Sequence, residues 1–332
     1  MLITVDCGTT NMRCRLFDNG TLVCEVKRTA GCRNTAFTGS DNFLREALRD
    51  SLRDLAEKSG VGDDCIEAVI CSGTLASDVG IYHIPHAIAP AGVNETVAAA
   101  SMTHMPDITQ LPIFFIPGIK TLPAPGEKDL TKFIEALESM SGEDCETYGI
   151  MSALGLTGDF VITLPGSHNK VMEVDAQGRI ISIRTGICGE FIAAISGHTM
   201  LHHSLPDPVI RKIMPEYLLT GFEYARTHGV SPSLVKARST QLFGGWDADM
   251  AANFFVGALL KDDIMSVFDV CGTDRKLIVG GGNPLRHVFA VLLEHVGAAN
   301  LIEIDDETAR LAPSRGAMMV YETWKRKNIN NF

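Results

Sequence analysis

The sequence lacks the features that mark a membrane protein or a nucleic-acid-binding protein. None of its apolar runs approaches the ~18 residues that a membrane helix requires. Basic residues are few, with 29 Lys and Arg against 40 Asp and Glu, which gives a net charge of −11. This charge argues against nucleic acid and anionic membranes as partners, but it is compatible with a small anionic substrate.

The cysteines lack the pattern of a disulfide framework or a thiol metal site. Nine are scattered along the chain, and no C-x-x-C pair occurs. The N-terminus enters a strand-like segment without the basic region and apolar core of a secretory signal. We therefore expect reduced, mostly buried thiols and a cytoplasmic location.

A glycine-rich turn lies close to the N-terminus. Strand-like residues 3–5 lead into Asp6-Cys7-Gly8-Thr9-Thr10-Asn11, and a second strand follows at once. The backbone N–H groups and hydroxyls of such a turn form a concavity that binds phosphate oxygens. The Asp6 carboxylate would repel a phosphate unless a divalent cation lay between them, so the turn predicts Mg²⁺ at Asp6. An ordinary hairpin with an acid at its mouth is the alternative.

The same pattern returns in the second half of the chain. Gly8 and the hairpin glycine Gly20 recur as Gly166 and Gly178, both 158 positions later. Each half follows the order β-β-β-α-β-α-β-α, which predicts a mixed sheet of about five strands with helical crossovers. We expect two similar domains, residues 1–156 and 157–332, with a central cleft between them and a helical insertion at about 206–265.

The two turns and a later glycine run predict a nucleotide site. The G-x-x-x-x-G-K-[ST] pattern is absent, so the site is not of the Walker type. Lys170 and Arg13 are placed to neutralise charge on a transferring phosphoryl group, and solvated charges are the alternative. Residues 280–283 follow a strand and predict the adenosine contact. The predicted cofactor-binding residues are Asp6, Gly8, Thr9, Thr10, Asn11, Arg13, Gly166, Ser167, His168, Asn169, Gly280, Gly281, Gly282 and Asn283.

Two adjacent acids, Glu143 and Asp144, begin an amphipathic helix just before the second turn. Acids at a helix start are favoured by the helix dipole, which is the structural interpretation. The functional interpretation is a general base that accepts a proton from a hydroxyl during phosphoryl transfer. The sequence slightly favours Asp144 over Glu143 and leaves the choice open. With Lys170, these two acids are the predicted catalytic residues.

Arginines beside glycine turns predict a cradle for a substrate carboxylate. Arg184 precedes Gly186-Ile187-Cys188-Gly189-Glu190, which has the form of an anion site ahead of a helix, with a capping Glu as the alternative. Arg33 lies on a loop that leaves the first meander, and the sequence does not decide between the two arginines. The predicted substrate-binding residues are Arg33, Ser72, Gly73, Arg184, Thr185, Gly186, Gly189 and Glu190.

These segments resemble the 2-dehydro-3-deoxygalactonokinase family of the actin-like sugar kinase/Hsp70 superfamily. The most specific segment is Pro165-Gly166-Ser167-His168-Asn169-Lys170, and Asp6-Cys7-Gly8-Thr9-Thr10, Ile116-Pro117-Gly118 and Ser141-Gly142-Glu143-Asp144 accompany it. The resemblance implies two ribonuclease H-like domains and ATP- and Mg²⁺-dependent phosphorylation of the C6 hydroxyl of 2-dehydro-3-deoxy-D-galactonate in galactonate breakdown.

The chain departs from the family pattern at three places. Cys7 stands where the family has Trp, Glu143-Asp144 where it has two Glu, and Asp78-Val79-Gly80 where it has Asn-Val-Gly. These changes concern the acceptor more than the nucleotide. A phosphoanhydride hydrolase of the exopolyphosphatase type and a non-catalytic nucleotide-binding regulator are the alternatives. The face Met318-Met319-Val320-Tyr321 could support a homodimer.

Overall fold

The chain forms two units in the computed structural model, which describes residues 1–329. Unit 1 contains residues 1–158 and 174–183 together with the segment after residue 306, and unit 2 contains residues 159–173 and 184–306. The predicted domain limits, 1–156 and 157–332, differ from these units in the placement of residues 174–183 and of the last helix.

Unit 1 is built on a six-stranded mixed sheet and a small three-stranded sheet. Its strands are β1 (Leu2–Cys7), β2 (Met12–Asp18), β3 (Thr21–Arg28), β4 (Ala68–Gly73), β5 (Ala87–Ile88), β6 (Ser101–Thr103), β7 (Ile113–Phe115), β8 (Ile119–Lys120) and β9 (Ser139–Met140). The large sheet has the order β3-β2-β1-β4-β7-β6, and the small sheet has the order β5-β8-β9. In the large sheet β1 pairs antiparallel with β2 and parallel with β4, so it is an inner strand with hydrogen-bonded neighbours along both edges.

Five α-helices of unit 1 precede its last one. They are α1 (Cys32–Thr38), α2 (Asn42–Ser59), α3 (Val93–Ala99), α4 (Leu130–Glu135) and α5 (Glu143–Leu154). Of these, α2 packs on β2 and β3. In α2, Leu44, Leu48, Leu52 and Leu55 recur at helical spacing and all four are buried. Gly60 ends this helix in the left-handed conformation, which closes it with a hydrogen bond from Gly60 N to Ala56 O.

Unit 2 combines a five-stranded mixed sheet with a group of helices. The strands of this sheet are β10 (Phe160–Leu164), β11 (Asn169–Val174), β12 (Ile180–Gly186), β13 (Leu277–Val279) and β14 (Leu301–Glu303), in the order β12-β11-β10-β13-β14. The last residue of β11 and residues 180–183 of β12 fall in unit 1 by the division above. Its helices are α6 (Cys188–His198), α7 (Pro215–His228), α8 (Val230–Phe243), α9 (Ala248–Leu259), α10 (Lys261–Cys271) and α11 (Leu285–His295). The core contains Phe222, Phe255 and Phe289, and α7 to α10 form the predicted helical insertion, which runs six residues beyond 265.

The last helix, α12 (Asp306–Ile329), packs in unit 1. The Ser314 hydroxyl accepts a hydrogen bond from Thr4 Oγ1 at 2.8 Å and one from the buried Arg15 at 3.1 Å. Tyr321 donates to Glu67 at 2.9 Å. Because Val320 and Tyr321 are buried in these contacts, half of the face suggested for a homodimer lies inside unit 1, and the dimer itself stays a prediction.

The two large sheets share the strand order predicted from the repeat. The order β3-β2-β1-β4-β7 in unit 1 corresponds to β12-β11-β10-β13-β14 in unit 2, so an α/β fold with mixed sheets is confirmed. The prediction of five strands is wrong for unit 1, because β6 adds a sixth strand antiparallel to β7. Helix α3 ends at Ala99, because Ala100 takes an extended conformation and the chain enters β6.

Two further predictions concern thiols and membrane segments. The nine cysteines are free, and all except Cys32 and Cys65 are buried. Within residues 1–329, no helix combines the length and the apolar character needed to span a bilayer.

Candidate functional site

The first loop, residues 8–11, connects β1 to β2 in unit 1. A hydrogen bond from Gly8 N to Asn11 O at 2.9 Å closes it into a turn. Thr74 Oγ1 donates to Cys7 O at 3.0 Å, and Arg33 N donates to Thr9 O at 3.1 Å, so the loop is held from two sides. Thr10 is exposed at its tip. These contacts fix the backbone while leaving its outer face open to a ligand.

Asp6 and Arg13 form an ion pair at the root of this loop. Arg13 Nη1 lies 3.0 Å from Asp6 Oδ2, with the Asp6 side chain 16% exposed and the Arg13 side chain 38% exposed. The register of β1 and β2 places the two residues directly opposite each other. Arg13, predicted to act on the phosphoryl group, is therefore bonded to the carboxylate predicted to anchor the cation.

The predicted acids lie in a turn that we call the acid turn, residues 141–144. Glu143 Oε2 accepts from Ser141 N at 3.1 Å, and Asp144 Oδ1 accepts from Gly142 N at 2.9 Å. Asp144 is only 1% exposed, and burial raises the pKa of its carboxyl to about 7, with the Glu143 charge acting in the same direction. Glu143 is partly exposed. The two acids thus differ in access, which the sequence could not show.

The acid turn lies next to Asp6. A Cβ atom placed on Gly142 would be 3.0 Å from Gly73 Cα and 4.0 Å from Asp6 Oδ1. Gly73 itself has φ +79°, and a Cβ atom there would lie 2.2 Å from Cys7 O, so only glycine fits between β4 and β1. Unit 1 therefore brings the end of β1, the end of β4 and the start of α5 together.

Two other predicted residues of unit 1 have different surroundings. The Ser72 side chain is buried, and its hydroxyl donates to Val5 O at 3.4 Å, inside the sheet. Arg33 is exposed on α1, and its guanidinium lies 5.5 Å from the centre of the Phe37 ring. Of these two side chains, only that of Arg33 is accessible to a ligand.

The second loop, residues 165–168, connects β10 to β11 in unit 2. Glu190 N donates to Ser167 O at 3.1 Å, and a Cβ atom on Gly189 would lie 2.2 Å from Gly166 O, so the start of α6 supports the loop. Ser167 is exposed, and His168 Nε2 lies 3.9 Å from a Glu190 oxygen. The predicted residues 189 and 190 are thus neighbours of the second loop.

Asn169 and Lys170 begin β11 and are both buried. Asn169 Oδ1 accepts from Thr163 Oγ1 at 2.7 Å, and the Asn169 side chain also hydrogen-bonds Asp263, so its polar atoms hold the hairpin. Lys170 is 8% exposed and donates from Nζ to Thr185 Oγ1 at 2.7 Å. Thr185 and Arg184 are exposed on β12. The Lys170 ammonium is therefore fixed by its neighbour on β12.

The glycine run 280–283 leaves β13 beside the second loop. Gly280 N donates to Thr163 O at 2.9 Å, and Gly281, with φ +76°, would place a Cβ atom 2.6 Å from Pro165 O. Asn283 Nδ2 donates to Asp306 Oδ1 at 2.9 Å. The run follows the carboxyl end of a strand, as predicted, and its backbone packs directly on the second loop.

A cavity of about 510 Å³ opens beside this run, wholly within unit 2. Its lining is mainly apolar and comes from α6, from residues 205–210 and from Pro284 and Leu285. Gly189 and His202 also contribute. This volume falls in the range of small-molecule sites.

Four residues, two in each unit, make contacts near the predicted site residues that sequence reasoning missed. Arg286 is 3% exposed, donates to Gly281 O at 3.2 Å and pairs with Glu303 and Asp306, so it fixes the glycine run. Arg286 lies on the same buried face of α11 as Phe289, Ala290 and Leu293. A charged residue on an otherwise apolar helix face could have identified it from the sequence. The others are His86 and Ser141, hydrogen-bonded at 3.1 Å, and Asp263, whose Oδ1 lies against Gly186.

Comparison with known proteins identifies a family and similar structures. The 2-keto-3-deoxy-galactonokinase family model matches residues 6–312. A Sinorhizobium meliloti protein with the provisional name 2-dehydro-3-deoxygalactonokinase has a similar structure, with a TM-score of 0.72, 20% identity and 96% of both chains covered. The activator of 2-hydroxyisocaproyl-CoA dehydratase from Clostridium difficile, solved with ADPNP, gives a TM-score of 0.54 at 13% identity, covering 99% of this chain and 97% of that one. No curated protein sequence matches significantly.

The family match, together with a glycine turn at the root of each sheet and an acid turn, defines the class: the protein is a sugar kinase, a phosphotransferase. The chain belongs to the 2-keto-3-deoxy-galactonokinase family, whose match spans nearly its whole length.

Proposed function

We propose that the enzyme transfers the γ-phosphoryl group of ATP to the C6 hydroxyl of a 2-keto-3-deoxy sugar acid, specifically 2-dehydro-3-deoxy-D-galactonate, in galactonate breakdown. The observation that carries this proposal is the meeting of the acid turn with Asp6 and Gly73 in unit 1. It supplies a carboxylate for a hydroxyl and a carboxylate for a cation within one small region. The family match supplies the substrate class.

Unit 2 provides the features that suit ATP. The apolar cavity accepts a planar base, and the glycine run at its edge lets the nucleoside lie against the backbone. The second loop offers backbone N–H groups, and Lys170 offers a fixed positive charge for phosphate oxygens. In this assignment the predicted residues 166–168, 170 and 280–283 contact the nucleotide, and Asn169 supports them through its side chain.

Mg²⁺ fits the chemistry of Asp6. Among residues 1–329, no three His, Cys, Asp or Glu side chains are grouped to hold a metal ion. Mg²⁺ commonly binds one or two carboxylates and keeps its other positions for water and substrate phosphates, so a single acid is sufficient. We assign it to Asp6 Oδ1, since Oδ2 pairs with Arg13. When bound, the ion would neutralise charge on the phosphates.

Glu143 suits the role of general base better than Asp144. A base must reach the proton that it removes, and Asp144 is 1% exposed with one oxygen bonded to Gly142 N. Glu143 is partly exposed at the same turn. We assign Glu143 to proton abstraction from the acceptor hydroxyl and Asp144 to holding the turn.

A substrate panel tests the function. The purified protein is incubated with ATP, MgCl₂ and one of several 2-keto-3-deoxy sugar acids, and ADP release is followed. The product of 2-dehydro-3-deoxy-D-galactonate should show ³¹P coupling to the C6 protons. No ADP release above background with any acceptor would refute the proposal, and phosphate release without an acceptor would support the hydrolase alternative.

A further inference from the structure

Three short strands bring three separate loops of unit 1 to one edge. In the small sheet β5 and β8 run parallel, and β9 runs antiparallel to β8. His86 immediately precedes β5, Gly118 immediately precedes β8, and Ser141 immediately follows β9. Because β9 ends where β5 and β8 begin, these three residues meet.

His86 and Ser141 are in direct contact at this edge. His86 Nε2 lies 3.1 Å from Ser141 Oγ. A Cβ atom on Gly118 would lie 2.6 Å from Ser141 Oγ and 2.8 Å from His86 Cδ2, so the missing side chain of Gly118 makes room for the pair. The Ser141 backbone N–H in turn donates to Glu143 Oε2 at 3.1 Å. A continuous set of contacts therefore runs from the imidazole to the carboxylate.

We propose that His86 is a positioning residue for phosphoryl transfer: through Ser141 it holds the turn that aims the Glu143 carboxylate at the acceptor hydroxyl. This inference rests on the proposed function, in which Glu143 is the base. A catalytic group needs its orientation fixed by neighbours that do not react, and a misplacement of about 1 Å is enough to lower the rate strongly.

The surroundings of His86 keep its ring neutral at neutral pH. Burial lowers the pKa of His86, the Lys120 ammonium and His83 act in the same direction, and Asp78 opposes them. A positive charge close to Glu143 would lower the proton affinity of its carboxylate, and a neutral His86 ring adds no such charge.

Paired substitutions test this role. His86→Phe and Ser141→Ala should each lower kcat about tenfold, because each removes the same hydrogen bond, and should leave KM for ATP unchanged. The double variant should be no slower than the slower single variant. His86→Gln retains a hydrogen-bonding amide and should recover most of the rate. His104→Gln, a change at an exposed histidine of the same unit, is the matched control.

Hydrogen exchange supplies a measurement that does not depend on turnover. In the wild type the Ser141 amide is bonded to Glu143, so its exchange should accelerate in His86→Phe and in Glu143→Gln, and return toward the wild-type rate in His86→Gln. A kcat loss without faster exchange, or losses that multiply in the double variant, would overturn the proposal. If wild-type protein phosphorylates no sugar acid, the proposed function fails, but unchanged or accelerated exchange still decides whether His86 holds the turn. Should His86→Phe not fold, His86→Asn and Ser141→Ala give the same comparison.

Discussion

The first and second loops have the same backbone plan but differ in the charged residues beside them. Both follow a buried strand, and Gly8 and Gly166 occupy equivalent positions. The first loop is supported by Thr74 and the start of α1, and the second by the start of α6. At the root of the first loop Asp6 pairs with Arg13, whereas in unit 2 the buried Lys170 follows the second loop.

Residues at equivalent positions of the two units, 158 positions apart in the sequence, show where this difference lies. The position of Asp6 in unit 1 is taken by the buried Leu164 in unit 2, and the position of Lys170 is taken by the buried Met12 in unit 1. Asp6 and Lys170 thus each stand where the other unit has an apolar core residue. The difference indicates that one loop is suited to a cation and the other to the anionic phosphate chain.

Replacing Lys170 by the residue of its counterpart should have the largest effect. Lys170→Met should fold, because the site is buried and Met fits at position 12, but kcat should fall about 10³-fold since the fixed charge toward the phosphates is lost. Steady-state kinetics with ATP and the sugar acid measure this. Lys236→Met, on the exposed face of α8, is the control. Wild-type turnover in Lys170→Met would contradict the assignment of the phosphate chain to the second loop.

Asp6→Asn should affect the cation specifically. The amide keeps the size and removes the charge, so we expect about a 10²-fold lower kcat and a higher Mg²⁺ concentration for half-maximal rate. A magnesium titration at saturating ATP separates these effects. The matched control is Asp18→Asn, an exposed acid at the end of β2. An unchanged magnesium requirement would remove Asp6 from the cation site.

Substitutions of Arg33 and Arg184 should have different effects on KM for the sugar acid. Arg33 shares unit 1 with the acid turn, whereas Arg184 lies in unit 2, so we expect Arg33→Met to raise KM for the sugar acid about tenfold with kcat nearly unchanged. Arg184→Met serves as the comparison and should change KM for the sugar acid much less. The reverse pattern would assign the carboxylate to Arg184.

Glycine packing at each loop should contribute to stability in both units. Gly73→Ala and Gly281→Ala each force a Cβ atom against backbone at positive φ, so each should lower the free energy of unfolding by about 1–3 kcal/mol. Chemical denaturation measures both. Gly126→Ala also has positive φ but meets no atom within 4 Å, which makes it the control for the contact itself.

Asp144→Asn should change how stability depends on pH. The pKa of Asp144 rises on folding from 3.8 to about 7, so the folded protein retains a proton that the unfolded chain releases between these values. Wild-type stability therefore falls as pH rises through this window, and the cost is complete above about pH 7. At ~1.4 kcal/mol per pKa unit, Asp144→Asn should be more stable than wild type by about 4 kcal/mol at pH 8, and the gain should vanish near pH 4. A gain that is constant with pH would contradict the raised pKa.

The sequence was informative where the signal is local and repeated. Gly8, Gly20, Gly166 and Gly178 are set by turn geometry, and their equal spacing predicted two sheets of the same strand order. The glycine run was also visible, because it borders α11, whose buried residues recur at helical spacing, and the acid pair was visible from its place at a helix start.

The remaining features depend on contacts between distant segments. Strands of two residues, such as β5 and β9, have no periodicity to detect, so the meeting of His86 with Ser141 could not be predicted. The burial of Asp144, and with it the difference in access between the two acids, follows from tertiary packing alone. The same holds for the return of α12 to unit 1.

That return has a consequence for the order in which the protein is made. The hydrogen bond between Thr4 and Ser314 joins residues 310 positions apart, and the Phe114 ring packs edge-on against Tyr321 and tilted against Trp324 of the same helix. During synthesis the first sheet must therefore wait, with part of its apolar surface uncovered, until all of unit 2 has been made. The folding of the part that carries Asp6 is thus tied to the translation of the part that carries Lys170.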